Sequence, residues 1–270
     1  MNKKIIVASL LCATLLNANS HGAKLIEVTH LKHQTVKKVT TKHTSHWGYT
    51  GHEAPQNWAE LNPKYKMCGM GVNQSPIDIK NSVSVQSSGL ETIGFNYHAD
   101  ASAVINNGHT IQVNVDSHSS INIDGEHFSL KKFHFHTPSE NEINGRSFPL
   151  EAHFVHSTAE GKLAVVGVLF ELGEPNKALK TIWDAMPKEA NKQKRISLSA
   201  KNIETLLPSK RDYYYFNGSL TTPPCTEGVK WMVLKNYQTI SKEQVTQFEK
   251  VLGHSNNRPT QPINARRVLK

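Results

Sequence analysis

The chain has 270 residues, of which 37% are hydrophobic, 7% aromatic and 20% charged. That length builds one large domain or two small ones, and the composition excludes a collagen, a coiled coil, a disordered tail protein and a polytopic membrane protein. Lys plus Arg number 31 against 22 Asp plus Glu, a charge of +9 that bears on partners rather than fold, and the 15 His exceed what a neutral surface needs.

Residues 1–20 have the form of a secretory signal. Lys3 and Lys4 make a basic start, residues 5–16 are an apolar stretch of twelve, and Ala18 and Ser20 supply small residues for cleavage after Ser20. Twelve apolar residues fall short of the roughly 20 that cross a bilayer, and no later stretch approaches that length. The expectation is therefore an exported protein, periplasmic or secreted, with no membrane span. Cys12 follows Leu10 and Leu11, without the small residue that a lipoprotein signal places before its cysteine. Residues 21–46 hold five Lys against one acid, Glu27, together with His21, His30, His33, His43 and His46. This segment is expected to be a solvated basic linker, the alternative being metal capture or attachment to an anionic envelope surface. No aromatic residue interleaves the basic run, so nucleic acid is not an expected partner.

From Trp47 to the end the pattern is that of one β-rich domain. Residues 111–115 alternate as a half-buried strand, and 128–135 do so less regularly. Residues 163–170 are continuously apolar, as in a strand buried on both faces, and 229–234 form another strand pattern. Helices are few. Ala178, Leu179, Ile182, Trp183 and Met186 have helical spacing, and Ser241 with Gln244 forms a capping box before 245–252, which Gly253 ends. Once the signal is removed, Cys68 and Cys225 remain; in an oxidising compartment they favour a disulfide, the alternative being two unrelated buried thiols.

Phe133-His134-Phe135-His136 lies within a strand pattern, so period-2 alternation puts both His on one face and both Phe on the other. Their Cα atoms stand roughly 6.5 Å apart, close enough for two imidazoles to converge on one ion. In 151–156, Glu151, His153 and Val155 share a face and His156 points away. Three neutral His with an open fourth position form the donor set of a catalytic zinc site, the arrangement for which carbonic anhydrase is the established example.

The runs FHFHTPSE at 133–140, EAHFVH at 151–156 and SLTTPPC at 219–225 resemble the α-class carbonic anhydrases. So do Trp47-Gly48-Tyr49, NQSPIDI at 73–79, NNGH at 106–109 and RPTQP at 258–262. The motifs stand in family order and cover 47–270. The resemblance implies a mostly β (α+β) fold: a central twisted, mostly antiparallel sheet of about ten strands with short peripheral helices. It implies Zn²⁺ on His134, His136 and His153, and reversible hydration of CO₂ to bicarbonate by attack of zinc-bound hydroxide. Thr221 would accept the hydroxide proton and donate its own to Glu140, and Thr222 would join it at the substrate. Val155, Val165, Leu220 and Trp231 would form an apolar CO₂ pocket.

A group of pKa near 7 releases protons to water no faster than roughly 10³ per second, so faster turnover needs a shuttle. His109 occupies that position. Glu151 would hold His153 from the outer shell. Lys132 is a departure, because the family's usual Gln there accepts a hydrogen bond from His134 and an ammonium cannot. Asn141 and Phe216 stand where His and Tyr are common. The resemblance also implies a homodimer. Rival functions are a non-catalytic binding module of the same fold and a zinc hydrolase acting on esters; the three retained His argue against the first.

Overall fold

A computed structural model describes residues 46–116 and 118–270. The signal and nearly all of the basic linker lie outside the described residues. Among the described residues there are five short α-helices: α1 (Trp58–Leu61), α2 (Met67–Met70), α3 (Lys177–Ala185), α4 (Ala200–Glu204) and α5 (Lys242–Leu252). The strands are β1 (Asp78–Ile79), β2 (Gly94–Asn96), β3 (Ala101–Asn106), β4 (Ile111–Val115), β5 (Ser120–Ile123), β6 (Glu126–His136) and β7 (Glu142–Ile143). After these come β8 (Leu150–Ser157), β9 (Leu163–Leu172), β10 (Lys192–Leu198), β11 (Tyr213–Ser219), β12 (Glu227–Leu234) and β13 (Gln238–Ile240).

One mixed sheet of 11 strands carries the domain, in the order β10-β3-β4-β6-β8-β9-β12-β11, with β13 beside β9, β5 beside β6 and β2 beside β5. Its pairings are antiparallel except those of β12 and β13 with β9. A separate parallel pair, β1 with β7, makes a second sheet of 2 strands.

The apolar run of β9 supplies both faces. Ala164, Val166, Val168 and Phe170 enter the larger core. Val165 and Leu169 enter the smaller one, with Trp231 and Phe216. Helices α3 and α5 close the larger core, where the Trp183 indole stacks on the Phe248 ring at 5.1 Å and meets Phe135 edge-on at 4.8 Å. The capping box at Ser241 and Gln244 forms in full, and Gly253 takes the left-handed conformation that ends α5.

The irregularity of 128–135 has a mechanical cause. A register shift between Leu130 and Lys132 in the pairing with β8 reverses the parity, so Phe128, Leu130, Phe133 and Phe135 all reach the larger core. His134 and His136 consequently emerge on the other face, and Lys132 emerges with them.

Cys68 on α2 is bonded to Cys225, and both pack with Trp58 and Leu61 in a third small cluster. Among the described residues, no helix is long and apolar enough to cross a membrane.

Candidate metal centre and active site

The pairing of β6 with β8 sets His134 directly opposite His153, with His136 one pleat along. One ring nitrogen from each lies within 4.8 Å of the others. The His136 ring donates from Nδ1 to the carbonyl of Asn256 at 2.7 Å, which leaves Nε2 as a buried lone pair with no partner among the described residues. His153 Nε2 stands 3.0 Å from Glu151 Oε1, and its Nδ1 lies 3.8 Å from Glu140 Oε2.

Burial and mutual proximity hold His134 and His136 well below the ordinary imidazole pKa, so both stay neutral. Burial also lowers His153, but the Glu151 carboxylate outweighs it and the net shift is upward. Converging neutral imidazoles and an orphaned inward nitrogen fit a divalent metal ion with one position left open.

The carboxylates behind the rings are tightly held. Glu151 Oε2 accepts from the backbone N–H of Glu140 and Asn141 at 2.8 Å each, and Oε1 accepts from the Asn141 side chain at 2.8 Å. Asn141 thus braces Glu151 directly, and its Oδ1 takes the Ile77 N–H at 3.2 Å. Glu140 Oε1 accepts from the Arg258 N–H at 2.8 Å, while Oε2 lies 3.4 Å from His136 Nε2. Burial pushes the Glu140 carboxyl up to about 7, against the opposing pull of His153, the Arg258 N–H and the Thr221 hydroxyl.

Thr221 is buried in the turn after β11. That turn closes through the Leu220 N–H to the Thr226 carbonyl and the Cys225 N–H to the Thr222 carbonyl, 2.9 Å each, and the disulfide anchors it. Thr222 beside it is half-buried. Val165 and Trp231 belong to the smaller core, with Val155 and Leu220 packed against it. The Trp231 indole meets the His153 ring edge-on at 4.9 Å, so this apolar group adjoins the imidazoles. Phe216 stacks parallel to Trp231 at 6.0 Å and contributes no hydroxyl.

His109 ends a turn that needs Gly108 at φ 86° and is closed by Asn107 Oδ1, which accepts from His109 N and Thr110 N at 2.9 Å each. Its ring is not among the three converging imidazoles. It lies flat on Trp47, with His46 5.8 Å away. Lys132 donates to Gln112 Oε1 at 3.1 Å and makes no bond to His134.

Two residues at the site were not singled out from the sequence. Asn256 supplies the carbonyl behind His136, and its side chain donates to the carbonyls of His109 and Phe135 at 3.0 and 2.9 Å. Arg258 is buried and ties its guanidinium to Gln74, Ser75 and the Cys68 carbonyl. Arg258 opens the RPTQP run and Asn256 stands two residues before it, so the motif marked the neighbourhood but not the contacts.

A sheet carrying three inward imidazoles, a braced carboxylate pair and an adjoining apolar wall defines the class: an enzyme built around a candidate metal centre. A family model for eukaryotic-type carbonic anhydrase matches residues 53–270. A carbonic anhydrase of Neisseria gonorrhoeae is 47% identical over 227 residues, covering 83% of this chain and 88% of that protein. One from Pectobacterium carotovorum is 44% identical over 224 residues, covering 83% and 90%. The solved α-carbonic anhydrase of Thermovibrio ammonificans, in complex with the inhibitor sulfanilamide, is 46% identical with a TM-score of 0.80, covering 83% of this chain and 99% of its own. The chain belongs to the α-carbonic anhydrase family, enzymes of reversible CO₂ hydration.

Proposed function

We propose that the protein hydrates CO₂ with Zn²⁺ held by His134, His136 and His153, and that His109 carries the released proton to solvent. The observation that carries this is the convergence of three imidazoles, His136 and His153 buried and His134 half-buried, with the Asn256 carbonyl behind His136 and the Glu151 carboxylate behind His153. When bound, zinc makes water a nucleophile at neutral pH, a property for which carbonic anhydrase is the established example.

The chain's own residues do the rest. The Thr221 hydroxyl commits its single proton to Glu140 and so presents a lone pair to the nucleophile, fixing its direction. Val155, Val165, Leu220 and Trp231 hold uncharged CO₂, and Thr222 lies at the edge of the same pocket. Glu151 fixes the His153 tautomer, and the His109 imidazole moves the proton.

Export to the periplasm or beyond is part of the same proposal. The Cys68–Cys225 disulfide supports it, since such bonds persist in oxidising compartments. So does the signal-like sequence of residues 1–20, with 21–46 as a solvated linker to the domain. A homodimer is the proposed assembly.

Stopped-flow CO₂ hydration by the purified protein, zinc-loaded and again after chelation, tests the reading. Turnover that vanishes on stripping and returns with Zn²⁺ is expected; a folded, zinc-replete protein without CO₂ turnover overturns it.

A further inference from the structure

One of the three imidazoles has a hydrogen bond behind it, a second has a carboxylate close behind it, and the third has neither. His136 Nδ1 has the Asn256 carbonyl at 2.7 Å and His153 Nε2 has Glu151 at 3.0 Å. His134 Nδ1 is enclosed by protein with no hydrogen-bond partner among the described residues.

The residue paired with His134 across the sheet is Gln112 on β4, whose amide oxygen would be the natural acceptor. That oxygen is engaged: Lys132 Nζ donates to Gln112 Oε1 at 3.1 Å. The other end of the amide is fixed too, since Gln112 Nε2 donates to Asn114 Oδ1 at 2.7 Å. An ammonium only donates, so the Gln112 oxygen is held facing Lys132, and in that position it makes no bond to His134 Nδ1. Lys132 stands two residues before His134 in β6, so alternation puts both on one face.

We infer that Lys132 withholds the outer hydrogen bond from His134 and thereby makes His134 the loosest of the three metal ligands. Retention of the ion is then set by the Lys132–Gln112 pair, and Lys132 acts as a positioning residue through Gln112. The inference rests on the zinc reading above. Outer hydrogen bonds of this kind change metal affinity about 10–100-fold, so restoring the missing one has a measurable effect.

Gln at position 132 can donate to Gln112 and accept from His134 with one amide. Met at 132 does neither, but releases the Gln112 oxygen to turn toward His134.

The test is the rate of zinc release from the full-chain holoprotein to a chromophoric chelator, with zinc affinity from chelator competition. Lys132→Gln is expected to slow release by about tenfold or more. Lys132→Met is expected to slow it less, and adding Gln112→Leu to Lys132→Met to cancel that gain. The melting temperature of the metal-free protein should not change with these differences, which separates outer-shell bracing from general packing.

Release from Lys132→Gln at or above the wild-type rate overturns the inference, as does a Lys132→Met gain that survives Gln112→Leu. A wild-type protein that takes up no zinc defeats the zinc reading itself. One that holds a single zinc and is indifferent to Lys132→Gln defeats only the inference.

Discussion

The His109 imidazole lies flat against the Trp47 indole, with ring centroids 3.8 Å apart and planes 8° from parallel. Burial in this stack, then the neighbouring His46 and His254, lower its pKa to about 4, with Glu53 opposing. A base this weak takes up few protons at neutral pH, whereas transfer is fastest when donor and acceptor are matched. Trp47→Ala is therefore expected to raise the His109 pKa toward the ordinary value and to raise kcat in weakly buffered solution. His109→Ala should hold kcat to about 10³ per second at neutral pH, leave kcat/KM unchanged, and be rescued by imidazole buffer. Ring titration by NMR and stopped-flow hydration check both.

In the proposed mechanism Thr221 orients rather than binds. Thr221→Val keeps the shape and removes the hydroxyl, so zinc content should stay at the wild-type level while kcat/KM falls by about 100-fold. Metal analysis beside CO₂ hydration kinetics decides this. A parallel loss of zinc would show that the residue holds the centre together instead.

On the opposite face, the Tyr97 hydroxyl and His156 Nε2 are hydrogen-bonded at 2.9 Å, and burial lowers His156 to about 3. The unfolded chain protonates this residue near the ordinary imidazole value while the folded chain resists, so the unfolded state binds more protons as pH falls. The stability from His156 is complete above about 6.5 and drains away as pH drops toward the folded value. His156→Gln keeps an acceptor for Tyr97 and does not titrate. Its melting temperature should fall less steeply than wild type between about pH 6.5 and 4, read by calorimetry at a series of pH values.

The disulfide closes a loop spanning 157 positions and joins α2 to the turn that carries Thr221. In the chain-entropy treatment a loop of that size contributes at most about 5 kcal/mol. Cys68→Ser with Cys225→Ser should lower the denaturant midpoint accordingly. It should also reduce kcat/KM, because Thr221 loses the anchor of its turn. Unfolding curves and activity on the same samples check the two effects together.

Much of the site was legible because side-chain direction along a strand is decided locally. Alternation alone put His134 and His136 on one face and separated His153 from His156. The unbroken apolar run of 163–170 announced a strand buried on both sides, and the capping box located the start of α5. The ordered motifs then specified family, fold and donor set. The sheet has eleven strands where about ten were expected, and the surplus consists of short strands such as β2 and β13 that carry little periodic pattern.

The tertiary structure alone decided what stands behind each of these residues. The Asn256 carbonyl reaches His136 from 120 positions away and the Arg258 N–H reaches Glu140 from 118. Nothing periodic in the chain encodes such pairings. Whether Lys132 turned toward water or a new acceptor depended on Gln112, brought across the sheet by the β4–β6 register. The resting place of His109 on Trp47 likewise depends on how the segment before α1 lies beside the β3–β4 turn. A strand's faces follow from a few neighbouring residues. Its partners follow from burying apolar surface and satisfying every backbone group at once, and that is settled only when the whole sheet has formed.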